Sequence, residues 1–144
     1  MTIRMRPAAW EHFEHDADIG LRAVAPSRER LFEAMAEALT AVIADPVLVR
    51  RSREIVIRCE APDDALLLVD WLNALIYEMA THNMLFGVWH VRLDGHRLEA
   101  RVAGEVVDRV RHRPVVEVKG ATYTALSMTQ DNVGDWHAEC VVDV

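Results

Sequence analysis

The chain has 144 residues and a mass of 16.3 kDa, with 51% hydrophobic and 27% charged residues. That is the composition and size of one globular domain spanning 1–144, and it excludes a disordered chain or two independent cores. Twenty-three Asp and Glu against sixteen Lys and Arg leave a formal charge of −7, a mean field that repels polyanions and excludes nucleic-acid binding by general phosphate neutralisation.

The alternation of Ile19, Leu21 and Ala23 with Gly20 and Arg22 predicts a strand. A helix follows, with Ser27 as N-cap, Leu31, Phe32, Met35, Leu39, Val42 and Ile43 on its apolar stripe, and Pro46 as its stop. Ile55, Ile57 and Cys59 alternate as a second strand. The next helix starts at Asp63 and runs to about Met79; it is apolar over most of its circumference, with Asp70, Asn73 and Tyr77 as a narrow polar strip. Trp89, Val91 and Leu93 run into Asp94-Gly95, and Leu98, Ala100 and Val102 run out again, the pattern of a hairpin with a two-residue type I′ turn. Val116 and Val118 lead a strand expected to continue through Tyr123, Leu126 and Met128. Trp136, Ala138, Cys140 and Val142 form the last strand. Strands outnumber helices and cluster in the second half, so the expected class is α+β: antiparallel sheet packed with two main helices.

No helix-length apolar run reaches the ~18 residues needed to cross a bilayer. Met1–Trp10 contains two arginines and no apolar stretch, which predicts no secretory signal. Cys59 and Cys140 match no zinc spacing and read as small buried hydrophobes of a reducing cytoplasm. There is no glycine-rich phosphate loop, no G-x-S-x-G elbow and no H-E-x-x-H helix.

Three constellations carry chemistry. In His15-Asp16-Ala17-Asp18, an extended backbone would point Asp16 and Asp18 to the same side, where two carboxylates want a cation or solvent between them. Asp143-Val144 places a side-chain carboxylate one residue from the chain's own, an oxygen set suited to Ca²⁺, Mg²⁺ or Mn²⁺. Spacing alone does not bring positions 18 and 143 together, and each acidic pair by itself reads as a solvated strand end. Glu105, Asp108, Arg111 and His112, with Lys119 entering the next strand, mix acid, base and imidazole in one connection; the plain alternative is a polar loop laced by surface ion pairs.

Taken in order, several segments resemble the archease family. They are His15-Asp16-Ala17-Asp18-Ile19-Gly20, Leu31-Phe32-Glu33-Ala34, and the helix Leu67–Tyr77. Next come Leu98-Glu99-Ala100 and Gly104-Glu105 with Asp108, Arg111 and His112. Val118–Tyr123 and the terminal Val142-Asp143-Val144 complete the set. The resemblance covers nearly the whole chain. It implies an accessory protein rather than an enzyme, one that promotes guanylylation and multiple turnover of an RtcB-type RNA ligase in tRNA splicing or RNA repair. It also implies a divalent metal, Ca²⁺ first and Mg²⁺ or Mn²⁺ next, held by Asp18, Asp143 and Val144. Asp16 would be an extra donor where the family usually has threonine. Glu105, Asp108, His112 and Lys119 become the surface offered to the ligase, with no direct contact to nucleic acid or membrane. Thr124 stands where the family usually has histidine, which removes an imidazole. Two other readings remain on the residues alone: a small metal-dependent phosphoester hydrolase using His15 or His112 as base, and a chaperone-like interaction module.

Overall fold

The computed structural model of the chain describes residues 7–144; the expectation of no secretory signal in Met1–Trp10 falls mostly on residues that lie outside them. Strand β1 (Ala9–His15) turns tightly into β2 (Asp18–Ala25), and helix α1 (Arg28–Ile43) follows. After a 3-10 turn at Pro46–Leu48 come β3 (Arg53–Glu60), helix α2 (Asp64–His82), β4 (Met84–Asp94) and β5 (Arg97–Val106). A single helical turn, α3 (Arg109–His112), precedes β6 (Gly120–Ala121), β7 (Ser127–Gln130) and β8 (Trp136–Asp143). All strand pairs are antiparallel. One sheet has the order β1-β2-β8, with β6 and β7 both on the outer edge of β8; the other has the order β3-β5-β4.

The helices form where the sequence places them. Ser27 Oγ accepts from the Arg30 N–H, and Asp63 Oδ1 accepts from the Leu66 N–H, so each N-terminus has one of its orphan donors satisfied by the expected cap. Asp45 bends away before Pro46 and caps the 3-10 turn through the Val47 N–H. Helix α2 continues one turn beyond Met79 to His82 and closes on Asn83 in the left-handed region at φ 50°, which asparagine tolerates. Its Asp70, Asn73 and Tyr77 are exposed, as the strip predicts, while Leu67, Leu68, Trp71, Leu72 and Leu75 are buried.

Each of the two long helices touches both sheets, α1 through β2, β8 and β4, α2 through β3, β4, β6 and β7. The two sheets therefore share one core. Trp71 Nε1 donates to the Phe32 carbonyl at 2.9 Å, joining α2 to α1 at a point with no water to replace the bond. Cys140 is buried and Cys59 half-buried; burial pushes both thiols up to about 11, which keeps them in the unreactive neutral form.

Two sequence expectations need correction. The β4–β5 register pairs Asp94 with Arg97, so the central turn residues are Gly95 and His96, not Asp94 and Gly95. Gly95 takes φ 59° at the first central position, the place a type II′ loop gives to glycine. The strand expected from Val116 through Met128 is broken. Val116–Lys119 lies outside any strand, and between Ala121↔Val142 and Ser127↔Glu139 six residue steps on one side face three on β8. The three surplus residues bulge out through Tyr123–Ala125, with Ala125 at φ 53°. Alternation in the sequence shows which residues are apolar but carries no count of residues on the partner strand.

Candidate functional site

Register places one group of candidates together. β1 and β2 pair His15↔Asp18, and β2 and β8 pair Ile19↔Val142, so one step further Asp18 comes abreast of Asp143. Leu21, Ala23 and Ala25 of β2 and Ala138, Cys140 and Val142 of β8 face the core, which turns Asp18 and Asp143 to the opposite face of the sheet. That outer face has four cross-strand rows, Ala9, Val24 and His137 at the far end and three more toward Asp18. Glu11, Arg22 and Glu139 form the first of these three, with Arg22 bonded to both carboxylates at 2.8 and 2.6 Å. Phe13, Gly20 and Val141 form the second. The Phe13 ring occupies the space a Gly20 Cβ would need, and Arg22 lies 4.5 Å from its centroid. His15, Asp18 and Asp143 form the third, at the end of the sheet.

The two acidic rows differ in one respect. Glu11 and Glu139 are bridged by an arginine, whereas neither Asp18 nor Asp143 has an ion-pair partner among the described residues. Directly opposed like charges destabilise a strand pair, so an unneutralised row of this kind favours a cation between its oxygens. Carboxylate oxygens are hard donors and fit Ca²⁺, Mg²⁺ or Mn²⁺ better than softer metals. Among the described residues, no three His, Cys, Asp or Glu side chains converge as a ready metal cluster. A cation held here by Asp18 and Asp143 would draw its remaining ligands from Val144, backbone or water.

Asp16 does not meet the extended geometry on which its expected alignment with Asp18 depended. It sits in the β1–β2 turn at φ 52° and its side chain is 95% exposed, with His15 Nδ1 4.0 Å away. Lys119, by contrast, joins the Asp18–Asp143 end: its N–H donates to the Asp143 carbonyl at 2.7 Å, and its side chain is exposed. Asn73, from the polar strip of α2, accepts the Ala121 N–H through Oδ1 at 2.9 Å and so ties the short strand β6 to the helix.

Glu105, Asp108 and His112 are assembled elsewhere, beside the 3-10 turn. Asp108 accepts from the Val110 and Arg111 N–H groups and caps α3, and these bonds hold its carboxyl below the usual aspartate range. His112 is buried; its Nδ1 accepts from the Asp108 N–H, which leaves Nε2–H to donate to Glu105 at 3.0 Å. Glu105 is also gripped by both Arg111 nitrogens at 2.7 and 2.6 Å and by the Arg50 N–H at 2.6 Å. The Arg111 bonds above all, then those from Arg50 and His112, hold the Glu105 carboxyl far below the usual glutamate value. Arg111 also donates to the Leu48 carbonyl, clamping α3 to the 3-10 turn. This cluster consumes its own hydrogen-bonding capacity: Glu105 and His112 face inward, and Arg111 is held between Glu105 and Leu48. Arg50, a member of the clamp, carries no sequence signal because it enters through its backbone.

A family model described as "Archease protein family (MTH1598/TM1083)" matches residues 10–144. The archease proteins of Thermococcus gammatolerans and Pyrococcus furiosus are 37% and 36% identical to the chain, each match covering 94% of this chain and 98% of the relative. The solution structure of protein 1598 of Methanobacterium thermoautotrophicum superposes with a TM-score of 0.81 at 27% identity, over 94% of this chain and 98% of that one.

Proposed function

The chain belongs to the Archease protein family, and from that premise we propose that it is a non-catalytic accessory protein that activates an RtcB-type RNA ligase. In this reading it promotes guanylylation of the ligase and sustains its multiple turnover in tRNA splicing or RNA repair. The observation that supports it best is the pair Asp18 and Asp143, abreast at the end of two adjacent strands and without an ion-pair partner among the described residues. With Val144 beside them, these residues hold a divalent cation, Ca²⁺ by preference, at an otherwise acidic tip that also presents Lys119.

The physical requirement on an activator is differential binding: it must favour the ligase state that accepts the nucleotide over the one that does not. An active-site cleft built for RNA phosphates and a nucleoside triphosphate is electropositive, so an acidic tip is attracted to it and guided in. The carboxylates of this chain would hold the cation at the tip, and the sheet hydrogen bonds keep them in fixed register. Guanylylation of the purified ligase, titrated with wild type and with Asp143→Ala, is the test: stimulation by wild type and its loss in the variant are expected, and equal stimulation by both overturns the role given to the tip.

A further inference from the structure

The segments Asp45–Arg53 and Glu105–Arg113 carry six arginines against three carboxylates, in a chain whose formal charge is −7. The backbone of Arg50 on Glu105 and the Arg111 bond to Leu48 bring these two segments side by side. All three carboxylates are used internally: Asp45 caps the 3-10 turn, Asp108 caps α3, and Glu105 is held by Arg111 and His112. Among the cations, Arg111 is consumed in the same clamp. Arg50, Arg51, Arg53, Arg109 and Arg113 are exposed, and none has an ion-pair partner among the described residues. A local basic shoulder thus stands on an acidic protein: Glu105 faces inward, and the exposed Asp45 and Asp108 are taken up in backbone caps.

The same shoulder is apolar. Val47, Val110 and Val115 are 86%, 84% and 75% exposed, and Leu48 is partly so. Exposed apolar side chains interleaved with arginine are the composition of a protein interface. Nucleic acid is a poorer match. Its sugar–phosphate backbone gains nothing from bare valine, and the one aromatic ring in these segments, that of His112, is buried where no base could stack on it. The shoulder is also near the acidic tip. The Val115 N–H is bonded to the Ile43 carbonyl and the Lys119 N–H to that of Asp143, and four residue steps span at most about 14 Å.

We propose that this shoulder is a second docking surface, for a segment carrying both carboxylates and apolar side chains on the same protein that the tip engages; the partner's identity rests on the ligase reading above. A partner that meets a negative tip and a positive, apolar shoulder within that span is held in one orientation, which a single charged contact cannot impose.

The test measures binding of the full chain to the purified ligase by isothermal titration calorimetry, for wild type, for Arg109→Glu with Arg113→Glu, and for Arg109→Lys with Arg113→Lys. Both sites are exposed, and circular dichroism checks that the variants are folded. The charge-reversed pair is expected to raise the dissociation constant at least ten-fold, the lysine pair to stay within a few-fold of wild type, and added NaCl to weaken wild type more steeply than the reversed pair. An unchanged dissociation constant in the reversed pair, with wild type still binding, overturns the shoulder and leaves the tip standing. A loss seen only in binding to a single-stranded RNA oligonucleotide assigns the shoulder to nucleic acid and overturns it as well. Failure of wild type to bind the ligase at all removes the ligase reading and this proposal with it.

Discussion

At the scale of single residues, charge placement decides which side chains are free to act. Glu11 and Glu139 share Arg22, while Asp18 and Asp143 share nothing among the described residues. Removing one charge from the second pair therefore relieves repulsion. Asp18→Asn or Asp143→Asn is expected to stabilise the metal-free protein by roughly 0.2–1 kcal/mol. The same variants should lose the rise in melting temperature that Ca²⁺ gives wild type, about 2.7 kcal/mol of stabilisation at one hundred times the dissociation constant. Calorimetric melts with chelator and with Ca²⁺ measure both effects, and a Ca²⁺ response retained in Asp143→Asn excludes that carboxylate as a ligand. Glu105 shows the opposite arrangement. Its folded pKa lies far below the usual 4.5 because Arg111, the Arg50 N–H and His112 stabilise the anion. A depressed carboxyl contributes its stability above the unfolded value and loses it as pH falls toward the folded one. Stability should therefore fall progressively below about pH 4.5 in wild type, and Glu105→Gln, less stable at pH 7, should show a shallower acid slope in melts between pH 2 and 7.

Close backbone approach matters at the scale of elements. Gly104 lies in β5 opposite Phe86, where β4 carries its bulge, and a Cβ there would run into the Leu85 carbonyl. Gly104→Ala must open the β4–β5 ladder beside the Glu105 clamp, an overpacking cost of about 1–3 kcal/mol. Denaturant unfolding measures the loss, and an unchanged midpoint means that the ladder yields freely. The elements also show how far a one-dimensional pattern reaches. The caps Ser27 and Asp63, the apolar stripe of α1 and the polar strip of α2 depend on neighbours three or four residues away, and all were legible. The strand from Val116 to Met128 was not, because its continuity depends on how many residues of β8 face it. The one-turn helix α3 was missed for a related reason: four residues carry no period, and the Asp108 cap, the buried His112 and the Arg111 clamp hold it.

The whole molecule is organised by two helices that both sheets share. Neither sheet can bury its apolar face without them, so unfolding should be a single cooperative transition. Near-ultraviolet dichroism from the four tryptophans and far-ultraviolet dichroism from the backbone are expected to melt together; separated midpoints would mean that the sheets unfold independently. The common core also explains why the acidic tip can be built from the beginning and the end of the chain: β2 and β8 are adjacent because both pack on α1.

The sequence by itself determined the α+β class, both main helices with their caps, the family, and which carboxylates were worth watching. These follow from local periodicity, from capping chemistry and from motifs read in order. Only the tertiary structure decided that Asp18 stands abreast of Asp143, that Asp16 turns away, that His112 is buried, and that arginines from two distant segments share one surface. Each of those facts is a relation between residues far apart in the chain, fixed by strand register and core packing, to which local spacing is blind.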